Sequence, residues 1–376
     1  MMRLSAFSLV ALLCAGCGTD SSDEINYVQV ATFNTGLARG YVDHAALRFD
    51  EQLSALSGLE DLDVLCLQEV WDPSDRAAII EGLSEKYPHS HFSETTNATL
   101  FPDAEAQPAA CTTAEAEPLA ECARPVCEGE ADIASCVLAA CGDLFDALSP
   151  ECQACAASNI GLGDVDEILA VCLMEGVVGY SYDGQNGLLL LSTAPIETPG
   201  YQQFDSFLTS RGVLLGTTHG MDVACTHLTS RLADPVYSGS YESYAAENAA
   251  QIDSLLSVVE GLSEATAKVV TGDFNTGPML DGLSAELPDN FAKFAEGGWG
   301  NPNTESAEPL CTWCEANLIT GGSANEAIDH VFVKGGAADQ PRRLLGGEIV
   351  VTNESGEEIM TSYSDHFGLS VRVALP

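Results

Sequence analysis

One recurring pattern limits what this chain can fold into: short apolar, β-branched runs of strand length that each end on an Asn, Glu, His or Asp. The plainest is Ala267-Lys268-Val269-Val270-Thr271, followed by Gly272-Asp273-Phe274-Asn275 and the turn Thr276-Gly277-Pro278. Alternate side chains of an extended segment share a face, so Asp273 and Asn275 point the same way just past a buried strand. Ala31-Thr32-Phe33-Asn34, Cys66-Leu67-Gln68-Glu69-Val70-Trp71, Cys225-Thr226-His227-Leu228 and Ser364-Asp365-His366-Phe367 repeat the pattern, with Ile328-Asp329-His330-Val331-Phe332 before the last. A lone Asp/Asn turn merely caps a strand. The ordered set says more.

Helical periodicity fills the gaps. Residues 45–59 place Ala46, Phe49, Leu53 and Leu56 at helical spacing, 74–86 read as a second helix with Ser74 as N-cap, and 242–259 carry Ala246, Ala249, Ile252, Leu255, Leu256 and Val259 near one face. Strands are expected at 25–33, 63–67, 187–192, 212–217, 222–226, 328–333, 348–352 and 367–373. Strands with interleaved helices, and polar residues gathered at strand ends, predict an α/β fold of two packed sheets covered by helices.

Residues 97–180 break this pattern. They are rich in Ala, Glu and Pro up to Cys127, then show helical runs at 132–148 and 165–173, and they hold Cys111, Cys122, Cys127, Cys136, Cys141, Cys152, Cys155 and Cys172. An even set of cysteines in one stretch of an exported chain implies disulfides closed within it. Cys152-x-x-Cys155 also has metal-ligand spacing, against which stand the oxidation of exported thiols and the lack of any His in the stretch. Cys311 and Cys314 are then left to each other, and Cys66 and Cys225 are expected as reduced core residues.

Export is read from the start of the chain. Met1-Met2-Arg3 is a short positive region, residues 4–13 are apolar but too few to span a bilayer, and Ala15-Gly16-Cys17 follows. This is similar to a lipoprotein cleavage box with Cys17 lipidated, although Cys14 stands where the box usually has Leu, and ordinary signal cleavage is the competing reading. Residues 1–17 would be the signal and 18–24 a polar tether, placing the protein at the outer membrane or cell surface, or secreted.

In order and spacing the motifs resemble the endonuclease/exonuclease/phosphatase superfamily, the metal-dependent phosphodiesterases that include deoxyribonuclease I, inositol-polyphosphate phosphatases and neutral sphingomyelinases. The resemblance spans residues 25–96 and 181–376, leaving 97–180 as a Cys-rich, mainly helical insertion. It implies a four-layer α/β sandwich with Asn34 and Glu69 as oxygen ligands of Mg2+, or Mn2+, and Asp365 reaching the ion directly or through water. It further implies His366 as general base, Asp329 as the acid orienting a catalytic histidine, and Asp273 and Asn275 holding the water and the phosphoryl group. His227 would bond the phosphoryl oxygens or protonate the leaving group. His44, His89, His91 and His219 have no such companions and are expected to face solvent.

Substrate is approached through charge. The chain has 56 acidic and 14 basic residues, a net charge of -42. A polyanion binder needs a basic stripe to displace counterions, and none is visible, so nucleic acid is disfavoured. Ser210-Arg211-Gly212 and Cys311-Thr312-Trp313-Cys314-Glu315-Ala316-Asn317 look like the basic-Gly strand entry and Thr-Trp segment of neutral sphingomyelinases, making Arg211 and Trp313 substrate-binding candidates alongside Asn275. The cysteines beside Trp313 depart from that subgroup, which usually has Asp after the Trp. Tyr237, Tyr241 and Tyr244 follow the His227 loop and have two readings, a face turned to a membrane interface or, as is commoner for such a loop, plain surface. The expectation is an exported, monomeric phosphodiesterase acting on a phospholipid head group. A secreted nuclease and a non-catalytic surface lipoprotein are the rivals, the latter opposed by the intact polar set.

Overall fold

The computed structural model describes residues 26–94, 108–130, 132–161, 163–175, 179–262, 267–322 and 324–375. The signal, Cys14, Cys17 and the tether lie outside them. The elements run β1 (Tyr27–Asn34), α1 (Ala45–Gly58), β2 (Val64–Gln68), α2 (Pro73–Gly82), β3 (His89–His91), α3 (Thr113–Cys127), α4 (Ile133–Asp146), α5 (Pro150–Ser158), α6 (Val165–Cys172), β4 (Leu189–Ser192), β5 (Glu197–Gln203), β6 (Gly212–Thr218) and β7 (Met221–His227). They continue with α7 (Tyr244–Glu260), β8 (Lys268–Asp273), α8 (Pro288–Glu296), β9 (Asp329–Lys334), β10 (Ala337–Leu344), β11 (Glu348–Thr352), β12 (Glu358–Ser362) and β13 (Gly368–Ala374).

Two mixed sheets result, ordered β10-β13-β1-β2-β4-β3 and β5-β6-β7-β8-β9. Between them Val30, Val64, Cys66, Leu190 and Val371 of the first meet Leu214, Val223, Cys225, Val269 and Val331 of the second in one apolar layer. The outer face of the first sheet packs Leu65, Leu67 and Leu189 on Leu56 of α1 and Ile79 of α2, while the second packs Val270 and Phe332 on Ile252 of α7 and Phe294 of α8. Strands buried on both faces explain the unbroken apolar runs. The expected helix–sheet–sheet–helix layering is present, and β11 pairs only with β12, as a separate hairpin.

Strand direction decides where the motifs go. β1 and β2 run parallel, as do β7 and β8, so the residues ending them share an edge. Asp329 begins β9 and Asp365 precedes β13, the upstream rather than the downstream ends expected. Both strands are antiparallel to their neighbours, β9 to β8 and β13 to β1, so their beginnings fall at that same edge. Gly272 is required here, since a Cβ would strike the Thr226 carbonyl on the adjacent strand.

Several local expectations are corrected. Cys66 and Cys225 are joined, not reduced: they face each other across the inter-sheet layer with Cα atoms 5.5 Å apart, a bridge 159 residues long in sequence. Asp72, not Ser74, caps α2; its Oδ1 accepts from the Ser74 backbone N–H at 2.7 Å. In α1 the buried face is Ala45, Arg48, Gln52 and Leu56, whereas Phe49 and Leu53 are half-buried and Ala46 is exposed. β5, β10 and β12 have weak apolar patterns because they sit at sheet or hairpin edges, and in α3 the helical spacing of Ala116, Leu119, Ala120 and Ala123 is obscured by Pro118 and Pro125 within it.

Helices α3–α6 stand between β3 and β4 around a small core of Leu119, Ala123, Phe145, Ile168 and Leu169. Disulfides Cys111–Cys152, Cys122–Cys141, Cys127–Cys136 and Cys155–Cys172 close within the segment, and Cys311–Cys314 closes on itself. Cys152 and Cys155 therefore have partners other than a metal.

Candidate active site

The shared edge of the sheets collects the motif residues into one buried cluster. β1 delivers Asn34, whose Nδ2 donates to Glu69 Oε1 at 3.1 Å and to Asp273 Oδ2 at 3.0 Å, while its Oδ1 accepts from the Gly36 backbone N–H at 3.0 Å. Glu69 follows β2 with φ +60, a left-handed backbone that a non-glycine residue keeps only where its surroundings enforce it. Its Oε2 is buried with no hydrogen-bond partner. Burial, then the Asp365 charge, raises the Glu69 pKa.

Asp273, at the end of β8, is the hub. It faces His227 Nε2 at 3.4 Å and His366 Nε2 at 3.8 Å, and its Oδ1 accepts from the Asn275 backbone N–H at 2.9 Å. Burial, with the charge of Asp329, pushes its carboxyl up to about 7. His366 Nδ1 pairs with Asp329 Oδ2 at 2.8 Å. Burial alone would favour the neutral imidazole, but Asp329, Asp273 and Asp365 outweigh it and hold the His366 pKa well above its usual value. His227 goes the other way: burial, Arg211 and His366 keep it neutral, and its Nδ1 has no partner.

Neighbouring loops hold these groups in place. Arg48, fully buried, donates to the carbonyls of Asp43, Thr35, Gly36 and Tyr363, tying the loop after β1 to the one before Asp365. Ser364 Oγ donates to Asn34 O and Asp365 Oδ1, and a Cβ at Gly36 would strike both Asp365 and Ser364. From α7, Asn248 donates to Thr229 O and Phe274 O, and Gln251 Oε1 accepts from Thr229 N, fixing the loops beyond His227 and Asp273. Thr312 Oγ1 accepts from the Ile328 and Asp329 N–H groups.

The chain matches the Endonuclease/Exonuclease/phosphatase family over residues 31–366. It belongs to that family. Solved structures similar to it include SmcL (TM-score 0.55, 12% identity, 93% of this chain and 99% of that one). A beta toxin variant from Staphylococcus aureus with bound magnesium ions is similar too (0.52, 11%, 92% and 99%), as is sphingomyelinase C from Streptomyces griseocarneus (0.50, 14%, 92% and 99%). At these identities the likeness is one of fold. No curated protein sequence matches the chain.

In this family member a hard divalent cation has a fitting donor set. The orphaned Glu69 Oε2 is an oxygen in want of a partner, and Asp365 is close enough to perturb it. Asn34 differs from expectation in turning its NH2 group toward Glu69, so that in this arrangement it steadies the carboxylates. Ligand atoms of Asp273, Asp329 and His366 also lie within 4.8 Å of one another. Within that trio Asp329 Oδ2 and His366 Nδ1 are already bonded to each other at 2.8 Å.

Arg211 and Trp313 both reach the site. Arg211 is buried, its guanidinium lies 5.9 Å from the Trp71 ring, and its Nε and Nη1 have no partner. Trp313 packs edge-on to His366 with centroids 5.1 Å apart. Asn275 donates from Nδ2 to Leu228 O at 3.0 Å. The tyrosines depart from expectation: Tyr237 and Tyr244 pack on Phe207, Tyr237 Oη donates to Glu247 and Tyr244 Oη to Pro235 O, so they form structure rather than a membrane face. His44, His89, His91 and His219 are half-buried, with His91 bonded to Gly200 O and His219 to Thr193.

Sequence reasoning missed Arg48, Trp71 and Tyr182. Trp71 and Tyr182 stack with centroids 5.0 Å apart beside His227. For Arg48 a signal was present: Arg48, Gln52 and Leu56 recur at i, i+4 and i+8.

Proposed function

We propose that the chain is an exported, Mg2+-dependent phosphodiesterase that hydrolyses the head-group ester of a phospholipid, as a sphingomyelinase or phospholipase C does. The observation carrying the reading is one cluster in which a buried carboxylate oxygen (Glu69 Oε2), two nitrogens of the buried Arg211 guanidinium and the Nδ1 of a neutral His227 lack partners, beside an Asp–His pair. A phosphodiester offers what they lack: anionic oxygens for Arg211 and the His227 ring. Glu69, Asp365 and, on rotation of its amide, Asn34 would hold the ion, which supplies charge neutralisation at the phosphoryl oxygens. Asp329 accepts from His366 Nδ1 and leaves Nε2 facing the cluster; in its neutral form, favoured once a bound cation offsets the neighbouring carboxylates, the ring takes a proton from the attacking water at Nε2 and holds it as the imidazolium. Asp273 and Asn275 orient that water and the phosphoryl group, and Trp313 walls the His366 side.

A head group with no net charge suits a surface at -42, which repels a polyanion at low salt. Export is supported by the disulfides. Lipidation at Cys17 would add an anchor, and no helix among the described residues is long and apolar enough to cross a membrane. Mass spectrometry of the mature N-terminus tests the anchor. Purified chain with Mg2+, Mn2+ or EDTA, assayed on sphingomyelin, phosphatidylcholine and duplex DNA, tests the reaction. Phosphocholine release that EDTA stops is expected; efficient DNA cleavage with no lipid turnover would make it a nuclease.

A further inference from the structure

The helical segment α3–α6 carries no residue of the polar cluster, yet it is docked against the site. Tyr41 Oη donates to Ala157 O, the Ala134 N–H donates to Gly40 O at 3.2 Å, and the Val236 N–H donates to Gln153 Oε1 at 2.9 Å. Beneath this contact lies a cavity of about 370 Å³. One end is lined by Glu69, Trp71 and Arg211, the same groups that flank the unpartnered atoms of the site. The far wall is Leu119, Ile133, Phe145 and Ile168 of the helical segment. Leu138 and Leu232, also in the lining, are exposed to solvent. Solvent-facing leucines in the lining of a largely apolar cavity suit a ligand that is itself apolar.

Resting on the phosphodiesterase reading above, we propose that this cavity binds the hydrocarbon chain of the lipid substrate. The helical segment is thereby a chain-binding module added to a head-group hydrolase. A phosphodiester seated at Glu69 and Arg211 has one ester oxygen directed away from the cluster, and the space beyond is walled mainly by aliphatic and aromatic carbon, with Ser135, Thr209, Ser230 and Asp234 as the polar groups among them. A base or sugar placed there would find few replacements for its hydrogen bonds to water. A hydrocarbon chain loses nothing, and an apolar cavity holds it more favourably than it holds water. The volume has room for roughly a dozen groups of water size, enough for a medium-length alkyl chain. The exposed leucines give such a chain a route in from a lipid surface.

The test uses the full mature chain with Mg2+ and water-soluble phosphocholine esters kept below their micelle concentration, carrying a methyl group (the chainless ester) or alkyl chains of 4, 8 and 12 carbons as the leaving alcohol. With the cavity as the chain site, kcat/KM rises by up to about fourfold per methylene and levels off near the longest chains. Val137→Trp, on α4 and away from the polar cluster, narrows the cavity; it should flatten the chain-length series and leave the chainless ester unchanged. Should that variant fold poorly, 1-decanol serves instead, acting as a competitor of the dodecyl ester and not of the chainless one. Calorimetric titration of decanol into the wild-type chain should show binding with a negative heat-capacity change. Hydrolysis of every ester at one rate would overturn the chain site and leave the phosphodiesterase reading standing. No hydrolysis of any ester would sink that reading, and absence of decanol binding would overturn the cavity proposal whatever the enzyme does to phosphoesters.

Discussion

The two-sheet body and the helical segment reach order by opposite means. In the body, chemistry-bearing residues come from Asn34 to His366, brought together by parallel and antiparallel ladders, with one disulfide joining β2 to β7 across the apolar layer. In the segment, short helices with a small core are held by four bridges spanning between 9 and 41 residues. A sheet sandwich buries enough apolar surface to keep charged groups fixed and dehydrated at its edge; a few short helices do not, and need staples. Dehydrated, precisely held carboxylates and imidazoles belong to the sandwich, and the stapled segment offers a wall.

The comparison breaks first if catalysis does not reside in the sheets. His366→Ala should lower kcat by roughly 10²- to 10⁴-fold at saturating Mg2+, whereas Glu69→Ala should weaken metal binding and recover partly as Mg2+ is raised; steady-state assays across a Mg2+ series separate the two. Near-full activity in His366→Ala would remove the base from the account.

Stability comes next. Replacing both Cys111 and Cys152 by Ser frees a 41-residue loop and should cost about 4 kcal/mol. The loss should fall on the helical segment, seen as early proteolysis there while the β-sheet circular dichroism persists. Replacing Cys66 and Cys225 should instead lower the main thermal transition. One shared transition, shifted equally by both pairs, would show that the two regions are a single cooperative unit.

The sandwich should also carry a pH signature. His330 is buried between Asn301, whose Nδ2 meets its Nδ1, and the Thr276 carbonyl at its Nε2, and burial lowers its pKa from 6.5 to about 4. The unfolded chain takes up this proton first, so the stability is intact above about pH 6.5 and lost as pH falls to 4, amounting to roughly 3 kcal/mol. Urea midpoints across that window should fall in the wild type and fall less steeply in His330→Gln. The smallest effect lies in the segment: Thr112 and Glu115 form a reciprocal cap at the start of α3, and Thr112→Ala should cost about 1 kcal/mol, read as faster hydrogen exchange in that helix alone.

Much of the site was legible because chemistry sits where strands stop, and strands buried on both faces announce themselves as apolar runs. Asn34, His227 and Asp273 were found this way. Asp329 and Asp365 were found by motif although they begin strands, since sequence does not state strand direction. What stayed hidden depends on distant contacts. The Cys66–Cys225 bridge needs the two sheets to be stacked before it makes sense, and Arg48 is a charge that α1 turns inward to satisfy carbonyls of loops on two strands. Edge strands β5 and β10 meet water on one side and lack the apolar run. The cavity is the joint property of two regions, and neither shows it alone.

The most direct test of the central claim is Mg2+ titration by calorimetry, run alongside hydrolysis of a chainless phosphocholine ester, for the wild type and Glu69→Gln. The account predicts a Mg2+ site that Glu69→Gln weakens, with activity following occupancy of that site in both proteins. Hydrolysis at an undiminished rate in EDTA, or Mg2+ binding and activity unchanged in Glu69→Gln, would contradict it.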